Sequence, residues 1–313
     1  VHLNIVFISA LEFGYRCIEK ILQKKWDVTA IFTLKDEIIK DASGYMPFDG
    51  LKEFGVNVYK ILDINSQDAI KKLKELEPDV IIVLGWSQII SNEVISIPRL
   101  CCLGHHPTLL PKHRGNAPIP WSIIMGLTKS GVTFFHLIDK VDAGDIFAQK
   151  EFEITIDDDA YTVYKKAIKV TIDLLNNEIL PNLKKGIVIR IPQDEKKASY
   201  WPKRKPEDGI VDWNMGTIQL YNWIRGLTHP YPGAFTYIKE LNDNKLFIWK
   251  SKLTNKKIKT TPGKIISITK SGIFVATGDG CLLLTSVQLE GDVEMDACAF
   301  ARKYNLKKGI ILG

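Results

Sequence analysis

Long apolar runs are missing from this sequence, and that absence already narrows the field. No stretch approaches the ~18 consecutive apolar residues needed to cross a bilayer. The opening segment reaches its first apolar run after two residues and then meets Glu12, Arg16 and Glu19, so it lacks the basic region and long apolar core of a secretory leader. Both observations lead us to expect a cytoplasmic protein with no membrane partner. Cysteine is scarce: the five residues Cys17, Cys101, Cys102, Cys281 and Cys298 form an odd set with no CxxC spacing. That argues against a disulfide framework and a structural zinc site and suits reduced, buried thiols. A strong charge of either sign is also missing, since 42 Lys and Arg against 36 Asp and Glu leave +6. The densest basic runs, residues 203–205 and 250–259, permit anionic ligands but fall short of a nucleic-acid platform. There is no internal repeat and no low-complexity segment.

What is present suits two domains, because 313 residues divided by ~150 per domain gives about two. In the first half, apolar runs rich in β-branched residues (3–9, 27–33, 56–61, 79–85) alternate with periodic segments. Residues 13–23 read as a helix, and a second one carries Ala69, Ile70, Leu73 and Leu76 behind Ser66 as N-cap. Such alternation predicts a mostly parallel sheet covered on both faces, with functional loops at the strands' carboxyl ends near 9–13, 85–91 and 104–118. Later strands are expected at 131–138 and 145–154, and a long amphipathic helix at 160–183 ending before Pro181. Residues 1–185 therefore read as the catalytic domain and 186–206 as a linker. Residues 207–313 read as a smaller β domain of barrel type, with short strands separated by Gly-containing turns. Its sheet edges make a homodimer plausible.

The most informative stretch is LGHHPTLLPKHRGNAPIPW at 103–121, followed by VDAGD at 141–145. An exposed loop of His, Arg, Gly and Pro directly after a buried strand is where an α/β enzyme places catalytic groups. The pattern His-x-Thr-Leu-Leu-Pro-x-x-Arg-Gly, then Gly-Val-Thr, then Asp-x-Gly-Asp resembles the 10-formyltetrahydrofolate-dependent formyltransferases. RKPEDGIVDW at 204–213, Ile224-Arg225 and PYPGAF at 230–235 are similar to the C-terminal domain of the methionyl-tRNA and aminosugar-nucleotide members. The resemblance covers nearly the whole chain. It implies a Rossmann-like catalytic domain followed by an OB-like barrel, and transfer of a formyl group from N10 of a reduced folate to a primary amine through a tetrahedral intermediate. The amine must lose a proton, the oxyanion must be stabilised and N10 must be protonated.

By this resemblance His106 is the family histidine, which stabilises the oxyanion or exchanges a proton. Asp142 is the aspartate that orients it and helps deprotonate the amine. The family's asparagine two positions before the histidine is replaced by Gly104, and losing one oxyanion donor costs ~10²–10³ in rate. A backbone N–H, His105 or Asn116 are the candidate substitutes; alternatively the protein has drifted to formyl-folate hydrolysis or binding, since some hydrolase-type relatives also lack the asparagine. The segment Gly85, Trp86, Ser87, Gln88, Ile89 and Ile90 resembles the loop on which the family docks the pteridine ring. Asp142 borders that site too, and Trp86 reads equally well as plain core. Ala10 falls in the substrate-side loop. Arg114, Lys112, Arg204 and Arg225 are candidate contacts for an anionic acceptor, although Arg114 beside Gly115 suits loop architecture and Lys112 suits solvent. Trp213 and Trp223 read as core. His105, His106 and His113 lack the spacing and partners of a metal site, so no metal is expected.

Two acceptor classes compete. A methionyl-tRNA enzyme needs a basic loop to grip a polyanion, whereas residues 34–48 carry two Lys against Asp36, Glu37 and Asp41. Together with the family-like motifs at 204–209 and 230–235, that composition places a 4-amino-4-deoxysugar nucleotide first and methionyl-tRNA second, with formyl-folate hydrolysis or binding third.

Overall fold

The β-branched runs of the first half fold as strands of one sheet in the computed structural model, which describes residues 2–40, 42 and 44–313. Asp41, counted above in the charge of the 34–48 loop, lies outside the described residues. Among the described residues no helix is long and apolar enough to cross a membrane. The chain divides into two compact units, one of residues 1–118, 129–153 and 164–202, the other of residues 119–128, 154–163 and 203–313.

In chain order the first unit's elements begin with β1 (Ile5–Ser9), α1 (Glu12–Gln23), β2 (Val28–Leu34), α2 (Asp36–Ile39), β3 (Asn57–Ile61), α3 (Gln67–Glu75) and β4 (Val80–Leu84). Next come α4 (Asn92–Ile95), β5 (Cys101–His106), the short β6 (Arg114–Gly115), β7 (Lys129–His136) and β8 (Ile146–Glu153), while α5 (Pro118–Ile124), between β6 and β7, belongs to the second unit from Ile119 onward. The large sheet has the order β3-β2-β1-β4-β5-β7-β8. Its first five strands are parallel, and β5–β7 and β7–β8 are antiparallel. The order reverses between β1 and β4, so their carboxyl ends open a crevice at the switch point. Both sheet faces are buried: Val6, Ile8, Phe32, Ile81 and Val83 share one cluster, and the alternate residues Ile5, Phe7, Ile31 and Ile82 are equally enclosed. α1 turns Phe13, Cys17, Ile18 and Ile21 inward, and Ser66 Oγ accepts the Ala69 N–H to cap α3.

The long helix departs from expectation. α6 (Ala160–Leu174) runs into a wide π turn at Leu175–Ile179 and continues as α7 (Leu180–Lys184). The chain passes Pro181 instead of ending before it, because the ring falls in the first turn of α7, where a missing N–H leaves no intrahelical bond unmade. A two-residue strand, β9 (Tyr200–Trp201), pairs in parallel with β6.

The second unit contains α8 (Thr217–Leu227), β10 (Ala234–Ile238), β11 (Asn244–Leu253), β12 (Ile265–Thr269), β13 (Gly272–Ala276), β14 (Cys281–Leu289), β15 (Met295–Asp296) and α9 (Ala297–Lys303). Its antiparallel sheet follows β10-β11-β14-β13-β12, with β15 added to β14. Leu220, Ile224 and Leu227 of α8 and Phe300 of α9 pack with Ile248, Leu282 and Leu284 of the sheet. Trp213 joins the same core, with its indole N–H on Thr236 Oγ1 at 3.1 Å. Arg225 is buried here: Nε donates to Asn222 Oδ1 at 2.9 Å, and Nη1 donates to the carbonyls of Thr155, at 3.0 Å, and Asp158.

Removing a buried guanidinium that satisfies two backbone carbonyls leaves both uncompensated, at about 1–3 kcal/mol per orphaned group. Arg225→Met is therefore expected to lower unfolding free energy by roughly 2–4 kcal/mol in urea titration. A change below about 0.5 kcal/mol would contradict this structural assignment.

Candidate active site

Side chains alternate along β5, so Gly104 and His106 face one side and His105 the other. His106 is 5% exposed. Its Nε2 lies 2.8 Å from the His113 carbonyl oxygen; a carbonyl only accepts, so Nε2 carries the proton. That leaves Nδ1 pointing to Asp142, whose Oδ2 is 3.7 Å away. The same Oδ2 accepts the Gly115 N–H at 2.8 Å.

Both loops that set this pair are strained. Asp142 has φ +53° and His113 φ +64°, left-handed conformations that cost a non-glycine residue roughly 1–2 kcal/mol and persist where surrounding contacts over-determine them. Gly115, at φ +104°, has no room for a side chain, because a Cβ would lie 2.7 Å from the Trp201 carbonyl oxygen. Thr108 and Thr133 stiffen the intervening turn: Thr133 Oγ1 donates to the Thr108 carbonyl at 2.6 Å and accepts the Leu110 N–H at 3.2 Å. The His113 ring stacks on Trp201 at 4.1 Å. Burial, then Lys112 and His106, push its pKa below the usual imidazole value.

Gly104 is enclosed. A Cβ there would meet Leu137 Cδ2 at 2.6 Å and Phe135 Cζ at 2.9 Å, so these two apolar side chains occupy the ground an asparagine would need. His105 is turned away: its Nε2 is 2.9 Å from Thr171 Oγ1, and its ring packs on Phe13 and Phe134. Burial, then the neighbouring His106, push its pKa down to about 3. Asn116 follows Gly115 and is exposed.

A cavity of about 250 Å³ brings Gly85, Trp86, Ser87, Gln88, Ile89 and Ile90 together with Gly104, His105, Phe135 and residues 137–142. Gln88 pins the first wall, its Nε2 on the Leu62 carbonyl at 2.9 Å, and Asn65 Nδ2 donates to the Ile89 carbonyl at 2.8 Å. Ile89, 83% exposed, and Val141, 63% exposed, offer apolar surface on the two walls. Trp86 packs with Ala10, Leu34, Ile39 and Tyr45, and among the described residues its buried Nε1 has no partner. A flat conjugated ring with polar edges suits this lining. Among the described residues no group of three or more His, Cys, Asp or Glu is arranged to hold a metal.

The candidate anion contacts are not among the residues that line this cavity, and the three arginines are committed to other partners. Arg114 is 0% exposed, and its five N–H groups all have partners. Nε donates to Gln193, Nη1 to Glu195 and Tyr200, and Nη2 to Gln193 and Glu195. Arg204 lies between the rings of Trp121 and Trp223, at 4.9 and 4.8 Å, and Arg225 holds the carbonyls described above. Lys112 is exposed, and Ala10 is buried directly after β1. Sequence reasoning missed Gln193, Glu195, Ser199, Tyr200 and Trp201, all in the supposed linker. An aromatic pair after a Lys-rich stretch was the one signal they gave.

Two outcomes follow. Gly104→Asn is expected to lower both stability and turnover, because overpacking here costs about 1–3 kcal/mol, and adding Phe135→Ala should recover part of the loss; a faster single variant would contradict the packing. His105 stays neutral when folded but gains a proton below about 6.5 when unfolded. Its contribution is complete above that value and falls by up to about 1.4 kcal/mol per pH unit below it. Urea midpoints between pH 6.5 and 5 should thus fall less steeply in His105→Gln, and an unchanged slope would contradict the assignment.

Comparison with known proteins agrees with this architecture. Residues 3–179 match the family model described as formyl transferase, and residues 203–305 match that of the formyl transferase C-terminal domain. The chain is 33% identical to the methionyl-tRNA formyltransferase of Bacillus subtilis, over 99% of this chain and 98% of that protein. It is 31% identical to that of Ruminiclostridium cellulolyticum, over 99% and 100%. Among solved structures, HypX from Aquifex aeolicus in complex with tetrahydrofolic acid superposes with TM-score 0.68 at 19% identity, covering 100% of this chain and 51% of HypX. This chain thus spans about half of HypX. An N-formyltransferase from Helicobacter canadensis, in complex with folinic acid and dTDP-3-aminofucose, gives 0.66 at 19% identity, over 90% and 98%. The family models together reach both halves of the sequence, and the chain belongs to the formyl transferase family.

Proposed function

We propose that the protein transfers a formyl group from 10-formyltetrahydrofolate to the amino group of methionyl-tRNA. The observation that carries the acceptor is the end-to-end likeness to methionyl-tRNA formyltransferases, 29–34% identical over 99% of this chain. It reverses the order of the acceptors expected from the sequence. Charge supports the reversal: residues 203–313 hold 17 Lys and Arg against 10 Asp and Glu, while residues 1–202 hold 25 against 26. The whole basic excess thus falls in the C-terminal part, where Lys250, Lys252, Lys256, Lys257 and Lys259 are exposed. A polyanion is the ligand such a surface attracts. The arginines that would have met a diphosphate are meanwhile occupied by Glu195, by tryptophans and by backbone carbonyls.

In this reading the folate lies in the cavity walled by residues 85–90 and 137–142 and supplies the formyl carbon. Attack by the amine joins nitrogen to that carbon, the C–N10 bond breaks, and one proton passes from the amine to N10. Asp142 and His106 Nδ1 hold that proton between them, while the His113 carbonyl keeps Nε2 protonated. With His105 bonded to Thr171, Asn116 and a backbone N–H remain as oxyanion donors in place of the missing asparagine. A small amino-sugar acceptor is the second reading. It is favoured by the acidic balance of the 34–48 loop and by Lys60, which is tied to Asp36 and Asp49 and so adds no free charge there.

Tetrahydrofolate release, followed with methionyl-tRNA, with 4-amino sugar nucleotides and with no acceptor, tests the proposal. Release is expected with methionyl-tRNA alone and should weaken steeply as salt rises. His106→Ala and Asp142→Asn should each lower it by ~10² or more. Release that requires an amino sugar would establish the second reading, and acceptor-independent release would make the protein a hydrolase.

A further inference from the structure

Residues 193–201 connect the loop that follows His106 with the loop that carries Asp142. The Gln193 carboxamide joins them directly. Its Oε1 accepts from Arg114 Nη2 at 2.8 Å and Nε at 3.3 Å, and its Nε2 donates to the carbonyls of Asp142, at 2.9 Å, and Gly144, at 2.7 Å. Glu195 repeats the bridge further out, with one oxygen 2.7 Å from Arg114 Nη2 and the other 2.9 Å from Lys140 Nζ. Ser199 completes it: its Oγ accepts the His113 N–H at 2.9 Å, and its carbonyl accepts the Arg114 N–H at 2.9 Å.

These bonds fall on the strained residues. Asp142 presents its carboxylate to His106, and His113 presents the carbonyl that sets the His106 tautomer; both hold a positive φ that their own sequence disfavours. Gln193 Nε2 holds the backbone of the first, and Ser199 Oγ holds the backbone of the second. We infer that Gln193 is a positioning residue for formyl transfer, acting through Asp142, and that residues 193–201 serve the reaction as a clamp on the catalytic loops. The inference rests on the proposed roles of His106 and Asp142.

Gln193→Glu tests it, because the substitution keeps an acceptor for Arg114 and removes both donors to the 142–144 turn. A misplacement of about 1 Å costs on the order of 10²-fold in rate. We expect kcat to fall roughly 10- to 100-fold, with KM for 10-formyltetrahydrofolate and for the acceptor within about two-fold and with the pH profile of kcat displaced. Glu195→Gln, changed at the exposed end of the clamp, should give a smaller fall of the same kind and serves if the first variant does not fold. Asp142→Asn is measured beside them. If that variant is impaired and a folded clamp variant keeps wild-type kcat, or loses rate with an unmoved pH profile, the positioning role is overturned and the catalytic pair stands. Wild-type turnover in Asp142→Asn would overturn the pair, and the clamp's role with it.

Discussion

Asp142 holds a left-handed backbone so that one carboxylate oxygen can accept the Gly115 N–H and face His106 Nδ1. The rest of the site is built to permit that conformation. Two residues on, a Cβ at Gly144 would lie 1.8 Å from the His136 carbonyl oxygen, so only glycine lets the turn close against β7. The next residue supplies the carbonyl that accepts the His136 N–H at 2.8 Å. The Asp-x-Gly-Asp spacing thus describes one tight turn anchored to a sheet strand. Gly115 meets a matching constraint across the cleft, where the Trp201 carbonyl excludes any side chain.

A second constraint comes from sheet register. β5 and β7 pair with Gly104 opposite Phe135, so both lie on the same face. Where a strand carries glycine, its cross-strand partner and the next residue on that face can close over the backbone. Phe135 and Leu137 do so here. Glycine at this position is therefore a packing choice shared by three residues, and an asparagine there would require the Leu137 and Phe135 side chains to shift.

The sequence made the parallel half of the fold legible because parallel strands buried on both faces leave unbroken β-branched runs, as at 79–85. The motif around His106 and Asp142 was legible through its resemblance to a family pattern, and Gly115 and Gly144 within it are each demanded by local geometry. Two features were not. The course of the helix past Pro181 depends on a wide turn at 175–179 that no spacing announces. The work of residues 193–201 lies in polar contacts 49 to 86 residues distant in the chain, and a Lys-rich, weakly apolar segment carries no periodicity from which such contacts could be read. The arginines misled for a related reason: residue type says what a guanidinium can bind, whereas the fold has already placed carboxylates, rings or carbonyls around it.

The central claim is that two strained loops fix the His106 tautomer, with Nε2–H on the His113 carbonyl and Nδ1 toward Asp142. Nitrogen-15 NMR of the imidazoles reads this directly, the His106 resonances being assigned by their loss in His106→Ala. The neutral ring is predicted to be protonated at Nε2 and to show Nδ1 as the unprotonated nitrogen. A neutral ring protonated at Nδ1 would contradict the account, because Nε2 would then bring a lone pair against a carbonyl oxygen and the loops would not be setting the proton.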